Sequence, residues 1–302
     1  MKPAAFDYEA PASLPEALEM LGRDPEETTV LAGGQSLVPL LNMRLAGPGL
    51  VVDVNAVDGL GGIERTAEGG LSLGATVRQR QLETDPRISR PVPLLAEAAG
   101  HVAHVAIRTR GTVGGSLCHS DPSAELPACF AALDARARIA HAGGERTVRI
   151  RELFIGPLMT VVEPGELLVG LDTDPLPPGT GWGFQEIART HGAFALVGVA
   201  ALVRCGPEGR IDFVRLALSG VDKTPWVAEW IEDLALGERP GEALFEHIGE
   251  RVGQDVEPPV DTHAGTEYRK AAAAALTART LTTAADRAHN GELAEGLGVA
   301  DG

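Results

Sequence analysis

Two glycine-rich segments carry the chemistry most readily read from this chain. Leu31-Ala-Gly-Gly-Gln-Ser-Leu37 sets adjacent glycines directly after a short apolar run, Thr28–Leu31. Glycines there let the backbone turn sharply and bring consecutive N–H groups to one place, a nest that holds an anionic oxygen without a lysine. Ser36 adds a hydroxyl donor. Gly111-Thr-Val-Gly-Gly-Ser116 repeats the ingredients, with hydroxyls on Thr112 and Ser116 and with Asp121-Pro122 following as a helix start. Neither segment is G-x-x-x-x-G-K-[ST], so a P-loop is excluded. Neither is G-x-G-x-x-G opening a helix inside a βαβ unit, so a Rossmann site is excluded. The pair suggests one diphosphate gripped from two sides, although a glycine pair in a tight turn also has a purely structural reading.

Other polar residues carry less. His101 and His104 stand three apart at a predicted helix end with no third ligand at useful spacing, which favours polar caps over a metal site. Arg108 and Arg110 could steer an anion or pair with nearby carboxylates. Cys118 and His119 follow the second loop, where a role in packing competes with a role at a ligand. No Ser-His-Asp arrangement is identifiable.

The elements that must position these loops follow from local signals. Ser13 with Glu16 reads as a capping box opening a helix. Thr28–Leu31 and Gly49–Val54 read as strands, and Leu60–Ala75 as a hairpin. Pro93–Val105 reads as helix, Arg108–Ser116 as too glycine-rich and β-branched for one, and Asp121–Arg136 as helix. Alternation marks strands in Ala137–Ile150 and Glu166–Asp172; Asp174–Gly181, rich in proline and glycine, reads as a linker. Beyond it, strands are expected at Gly183–Arg189, Ala195–Arg204 and Arg210–Leu218. Helices are expected at Trp226–Leu236, Glu242–Val252 and Glu267–Leu281, and Asp286–Gly302 is expected to fray.

Composition bounds the function. The chain has 302 residues and 26 Lys+Arg against 42 Asp+Glu, a net charge of −16. Such a balance argues against bulk nucleic-acid binding, which needs a basic stripe. No run of about 18 apolar residues occurs, which excludes a spanning helix, and the opening MKPAAFDYEAPASLPEALEML lacks the pattern of a signal peptide. Three widely spaced cysteines argue against a disulfide framework or an iron–sulfur ligand set. A mixed α/β protein of the cytoplasm is expected.

The sequence resembles the FAD-binding medium subunit of the molybdenum hydroxylases, the carbon monoxide dehydrogenase and xanthine dehydrogenase family. The resemblance rests on Phe6-x-Tyr8, Pro11-x-Ser13-Leu14-x-Glu16-Ala17-Leu18, the first loop, Met43-x-Leu45-x-x-Pro48 and Val52-Asp53. It continues through Ile107-Arg108-x-Arg110 with the second loop, Asp121-Pro-Ser-Ala-Glu-Leu-Pro127 and Glu267-Tyr268-Arg269. It implies an α+β fold: a two-subdomain FAD-binding domain of the vanillyl-alcohol-oxidase (PCMH) type at 1–175, divided near 56, then a smaller α+β domain at 176–285 and a flexible tail at 286–302. It implies FAD, with the pyrophosphate on Ala32, Gly33, Gly34, Gln35 and Ser36 together with Thr112, Val113, Gly114, Gly115 and Ser116, and with Leu37 also among the cofactor-binding residues. Glu125 would stand at the adenosine part and Leu168 near the adenine, with Asp121 also among the cofactor-binding residues. Gln185 and Phe194 would stand beside the isoalloxazine, in a segment where the family's usual Asp is replaced by Ala193 and its basic pair is reduced to Arg189-Thr190; His191 there could tune the flavin or be a solvated turn residue. The implied partners are a [2Fe-2S] small subunit and a molybdenum-cofactor large subunit, with electrons passing through FAD to an external acceptor and no residue of this chain catalytic toward substrate. A stand-alone FAD oxidoreductase and a flavin-free adaptor remain alternative readings.

Overall fold

Ser13 opens the first helix for the reason its neighbours suggest: its side chain accepts the Glu16 N–H while the Glu16 carboxylate accepts the Ser13 N–H. The computed structural model describes residues 2–289. Strand β1 (Asp7–Glu9), helix α1 (Leu14–Arg23), β2 (Thr28–Leu31), α2 (Leu37–Met43) and β3 (Leu50–Asp53) form a parallel sheet of order β1-β3-β2. Parallel neighbours require crossover segments, which α1 and α2 supply. The first glycine loop leaves the carboxyl end of β2, the edge at which open parallel sheets take ligands.

An antiparallel sheet follows. The hairpin of β4 (Ile63–Arg65) and β5 (Leu71–Gly74) forms as expected. After it come helices α3 (Gln79–Thr84), α4 (Pro86–Ser89), α5 (Pro93–His101), α6 (Val105–Arg110), α7 (Val113–His119) and α8 (Glu125–Ala132). Next are β6 (Arg136–His141), β7 (Gly144–Arg149), the short helix α9 (Ile150–Leu153), the small hairpin β8 (Phe154–Gly156) and β9 (Met159–Thr160), and β10 (Leu167–Thr173). The sheet order is β4-β5-β10-β6-β7.

The last sheet joins β11 (Gly181–Ala188), β12 (Ala195–Cys205), β13 (Ile211–Ser219) and β14 (Trp226–Val227), followed by α10 (Ile231–Ala235), α11 (Glu242–Asp255) and α12 (Thr266–His289). Helices α11 and α12 cover one face, where Val197, Val199, Ala201 and Val203 of β12 pack. The opposite face, with Phe184, Ala200, Leu202 and Ala217, closes the same core that holds Leu94 and Leu95 of α5 and Leu126 and Phe130 of α8. Being buried on both faces, β12 reads as continuous apolar sequence rather than as alternation. Arg269, inside the Glu267-Tyr268-Arg269 motif, is 2 % exposed and donates to the carbonyls of Leu196 and Gly220 and to Asp261, stapling α12 to the sheet.

Four local expectations need correction. Arg108–Ser116 is largely helical, as the end of α6 and the start of α7. Thr112 caps α7 through the Gly115 N–H, and close packing outweighs the poor helix propensity of the glycines. Asp121-Pro122 does not start α8; the Ala124 N–H reaches the Asp121 carbonyl and the Ser123 N–H the Asp121 side chain, a turn with Asp first and Pro second, and the helix begins at Glu125. Trp226–Val227 pairs with the open edge of β13, leaving only Ile231–Ala235 helical in that segment. Asp286–His289 continues α12; the remainder of the expected tail, from 290, lies outside the described residues.

Candidate functional site

The first loop turns through Gly34, whose φ of +72° belongs to the left-handed region that glycine adopts without strain. The Val38 N–H closes onto the Gly34 carbonyl and starts α2. Gln35 folds back, its amide nitrogen donating to the Gly33 carbonyl at 3.0 Å. The N–H groups of Gly33, Gly34, Gln35 and Ser36 meet no acceptor among the described residues. They are four donors at one strand end.

The second loop is built the other way. The Val113 N–H donates to Val77, Gly114 to Ala75, Gly115 to the Thr112 hydroxyl and Ser116 to the Thr112 carbonyl. A Cβ on Gly114 would stand 2.6 Å from the Ala75 Cβ, and one on Gly111 2.3 Å from Gln79 Oε1. These glycines permit close packing of α7 on the end of β5. The sequence expectation of two equivalent nests therefore needs refinement: only the first loop offers unpaired amides.

The loops nevertheless meet. A Cβ on Gly33 would lie 2.6 Å from the Arg110 carbonyl and 2.7 Å from the Gly111 Cα, and one on Gly115 3.8 Å from the Ala32 Cβ. Around this junction runs a polar chain that joins Tyr8, Asp53 and Arg110 of the quoted motifs to Asn55 and Arg78, which the sequence did not mark. Tyr8 donates to Asp53 at 2.7 Å; Asp53 accepts the Asn55 N–H at 2.9 Å; the Asn55 amide donates to the Ala32 carbonyl at 2.8 Å. Arg78 donates to Asn55 Oδ1 and to the Arg110 carbonyl, each at 2.6 Å. Burial works to raise the Asp53 carboxyl, but bonds from Asn55 and Tyr8 and the Arg78 charge hold it below the usual carboxylate range. Burial and the neighbouring Arg110 charge hold Arg78 below its ordinary value, with Asp53 opposing. No motif signals Asn55 or Arg78, because their roles arise from strand ends far apart in sequence.

Other expected residues fall in three places. Asp121 and Glu125 follow α7 in the chain; Glu125 is 8 % exposed, and burial, helped by Glu186 and Asp121 against its own N–H and His101, pushes its carboxyl up to about 7. Glu186 lies 3.4 Å from His101, whose pKa this pairing raises against burial, with Glu97 and Glu125 adding. Leu168 is buried in the main core, while its neighbours Leu167 and Val169 face the cluster of Ala17, Leu21, Val52 and Val54 beneath the first sheet. Gln185 is not brought to the loops: strand alternation turns it toward α12, where its amide donates to Thr283 at 3.2 Å. Phe194 is 70 % exposed in the turn after β11, and that turn leans on His104, whose ring lies 5.8 Å from that of His191. Arg108 is structural, 5 % exposed and bonded to Glu83 at 3.0 Å and to the Val102 carbonyl at 2.8 Å. Among the described residues, no group of three or more His, Cys, Asp or Glu is placed to hold a metal ion, and no helix is long and apolar enough to cross a membrane.

Four unpaired N–H groups beside a glycine that excludes any side chain suit a diphosphate, so these residues fit the phosphate part of a dinucleotide. Known proteins point the same way. Residues 4–172 match the family model described as the FAD binding domain in molybdopterin dehydrogenase, and 182–284 that of the CO dehydrogenase flavoprotein C-terminal domain. The chain is 38 % identical to the caffeine dehydrogenase subunit beta of Pseudomonas sp. (strain CBB1), over 95 % of this chain and 97 % of that protein. Its structure is similar to that of quinoline 2-oxidoreductase from Pseudomonas putida 86, with a TM-score of 0.90 and 39 % identity over 95 % of this chain and 99 % of that one. Carbon monoxide dehydrogenase from Hydrogenophaga pseudoflava superimposes with a TM-score of 0.91 at 32 % identity, over 95 % of this chain and 99 % of that one.

Proposed function

The chain belongs to the FAD-binding medium subunits of the molybdenum hydroxylases, and from that premise we propose that it is the electron-transfer subunit of a three-part dehydrogenase. Its partners on this reading are a [2Fe-2S] small subunit and a molybdenum-cofactor large subunit that oxidises the substrate. When bound, FAD supplies the redox chemistry, linking the iron–sulfur partner to an external acceptor.

The chain's own residues grip and orient. The N–H groups of Gly33 to Ser36 bind the pyrophosphate, with Ala32 and Leu37 flanking them. Thr112, Val113, Gly114, Gly115 and Ser116 form the opposing wall, and the Ser116 hydroxyl is its donor. Asp121 and Glu125 stand toward the adenosine part and Leu168 behind it. Phe194 offers an exposed aromatic face for the ring, whereas Gln185 acts within the C-terminal domain through Thr283. We place the boundary between the FAD-binding part and the C-terminal domain near 175, and the division of the former near 56. No side chain at the loops is arranged as an acid or base for substrate, as suits a relay.

The observation that carries this reading is the set of unpaired amides at the end of β2, walled directly by the second loop. The test is the visible spectrum of the purified full-length chain with whatever accompanies it. Flavin bands together with iron–sulfur and molybdenum subunits are expected. A colourless chain that takes up no added FAD overturns the reading, and a yellow chain that turns over substrate with no partner overturns the relay.

A further inference from the structure

The first loop provides donors but no cation, since Ala32-Gly-Gly-Gln-Ser36 contains neither Lys nor Arg. A diphosphate carries negative charge on both phosphates, and neutral amides alone leave that charge to be balanced elsewhere. In a chain of net charge −16 the balance has to be local.

The junction of the two loops holds such a charge. Arg78 stands before α3, four residues beyond β5, and pairs through an isolated bridge with Thr112, the cap of α7. One arm of its guanidinium is fixed by Asn55, which also holds the Ala32 carbonyl; the other is fixed by the Arg110 carbonyl, against which Gly33 packs. Ala32 and Gly33, at the start of the free-amide loop, are thereby linked to one side chain and through it to the end of α6. Of the five N–H donors on a guanidinium, these contacts use two. The acidic group acting on it is Asp53, already engaged by Tyr8 and Asn55, while Arg110 adds a second positive charge nearby. The local balance is therefore positive: two guanidinium groups against one carboxylate.

We propose that Arg78 is a positioning and charge-supplying residue of the cofactor site, locking the two glycine loops in register and, with Arg110, balancing the diphosphate. The proposal rests on the FAD reading above and deepens it. Its test compares FAD binding to the flavin-stripped full-length wild type, Arg78→Met and Arg78→Lys, by flavin fluorescence at several salt concentrations, with ADP as competitor. Arg78→Met is expected to bind FAD about 10- to 100-fold more weakly, the loss of a charge-assisted contact. It is also expected to respond less steeply to salt and to be less sensitive to ADP, beyond whatever modest loss of melting temperature the missing bonds to Asn55 and Arg110 bring. Arg78→Lys is expected to recover the salt response but only part of the affinity, because an ammonium lacks the two-armed geometry. Equal FAD affinity in wild type and Arg78→Met overturns the proposal while leaving the FAD reading intact; no uptake by the wild type overturns both. A loss of affinity with the salt response unaltered also overturns the charge role. Should Arg78→Met fail to fold, Asn55→Ala removes one anchor and keeps the charge. A roughly tenfold loss is then expected, and no loss overturns the locking role.

Discussion

The two glycine loops look alike in sequence and do opposite work. In the first, the turn through Gly34 leaves the N–H groups from Gly33 to Ser36 without acceptors among the described residues; in the second, glycine lets the backbone come close enough for every N–H from Val113 to Ser116 to be satisfied within it. A Gly-Gly pair thus reports only that a side chain is excluded, and in both loops the protein itself excludes it, at Gly33 through Arg110 and Gly111 and at Gly114 through Ala75. What separates the cases is whether the amides have acceptors, a property of the tertiary fold.

Breaking the packing loop should do the greatest damage. Gly114→Val drives a side chain into Ala75, and unfolding measurements should register a loss of about 3 kcal/mol or more, or no soluble protein. A near-native stability there would erase the distinction between the loops. Gly34→Val should fold, since its neighbours are the ends of Val38 and Leu31 and the left-handed backbone costs about 1–2 kcal/mol. Two misplaced amides should nonetheless weaken FAD binding at least about 100-fold, read by titration of the stripped protein. Retained stoichiometric flavin in this variant would remove the first loop from the site.

The interface between α5, α8 and the last sheet extends the contrast to charge. Glu97 pairs with Arg287 at 2.5 Å and Glu186 with His101 at 3.4 Å, leaving Glu125 without an ion-pair partner among the described residues. With a folded pKa near 7 against an ordinary 4.5, native Glu125 keeps a proton that the unfolded chain releases, so stability falls as pH rises from about 4.5 to 7. His101, raised above its ordinary 6.5, adds a loss in the same direction at higher pH. Urea unfolding at pH 5 and pH 8 should differ by about 2 kcal/mol from these groups, and Glu125→Gln should flatten the difference. Identical pH profiles for wild type and variant would assign the dependence elsewhere. The smallest effect belongs to the cap of the second loop. Thr112→Ala should cost about 1 kcal/mol in stability through loss of the Gly115 N–H bond, with FAD affinity changed less than by Gly34→Val. The reverse ranking would make Thr112 a ligand contact first.

Much of this was legible in the residues because the signals are local. The Ser13 capping box, the strand Thr28–Leu31 and the hairpin around Gly69 each follow from a few adjacent side chains. Asp121-Pro122 misled as a helix start because the same pair also starts turns, and only the acceptors around it decide. The orientation of Gln185 toward Thr283 depends on strand phase and on which face meets α12. Asn55 and Arg78 were silent because an amide and a guanidinium after a strand carry no pattern until Ala32 and Arg110 are brought beside them.

The doubly buried β12 limits how such chains can be recombined. Phe184, Ala200, Leu202 and Ala217 complete a core begun by Leu94, Leu95, Leu126 and Phe130, so a crossover at the proline-rich segment 174–181 would join two half-cores that never adapted to each other. Chimeras among relatives would therefore inherit a compatible seam only when α5 and α8 travel with the last sheet, which makes the unit of exchange larger than the segment that sequence punctuation delimits.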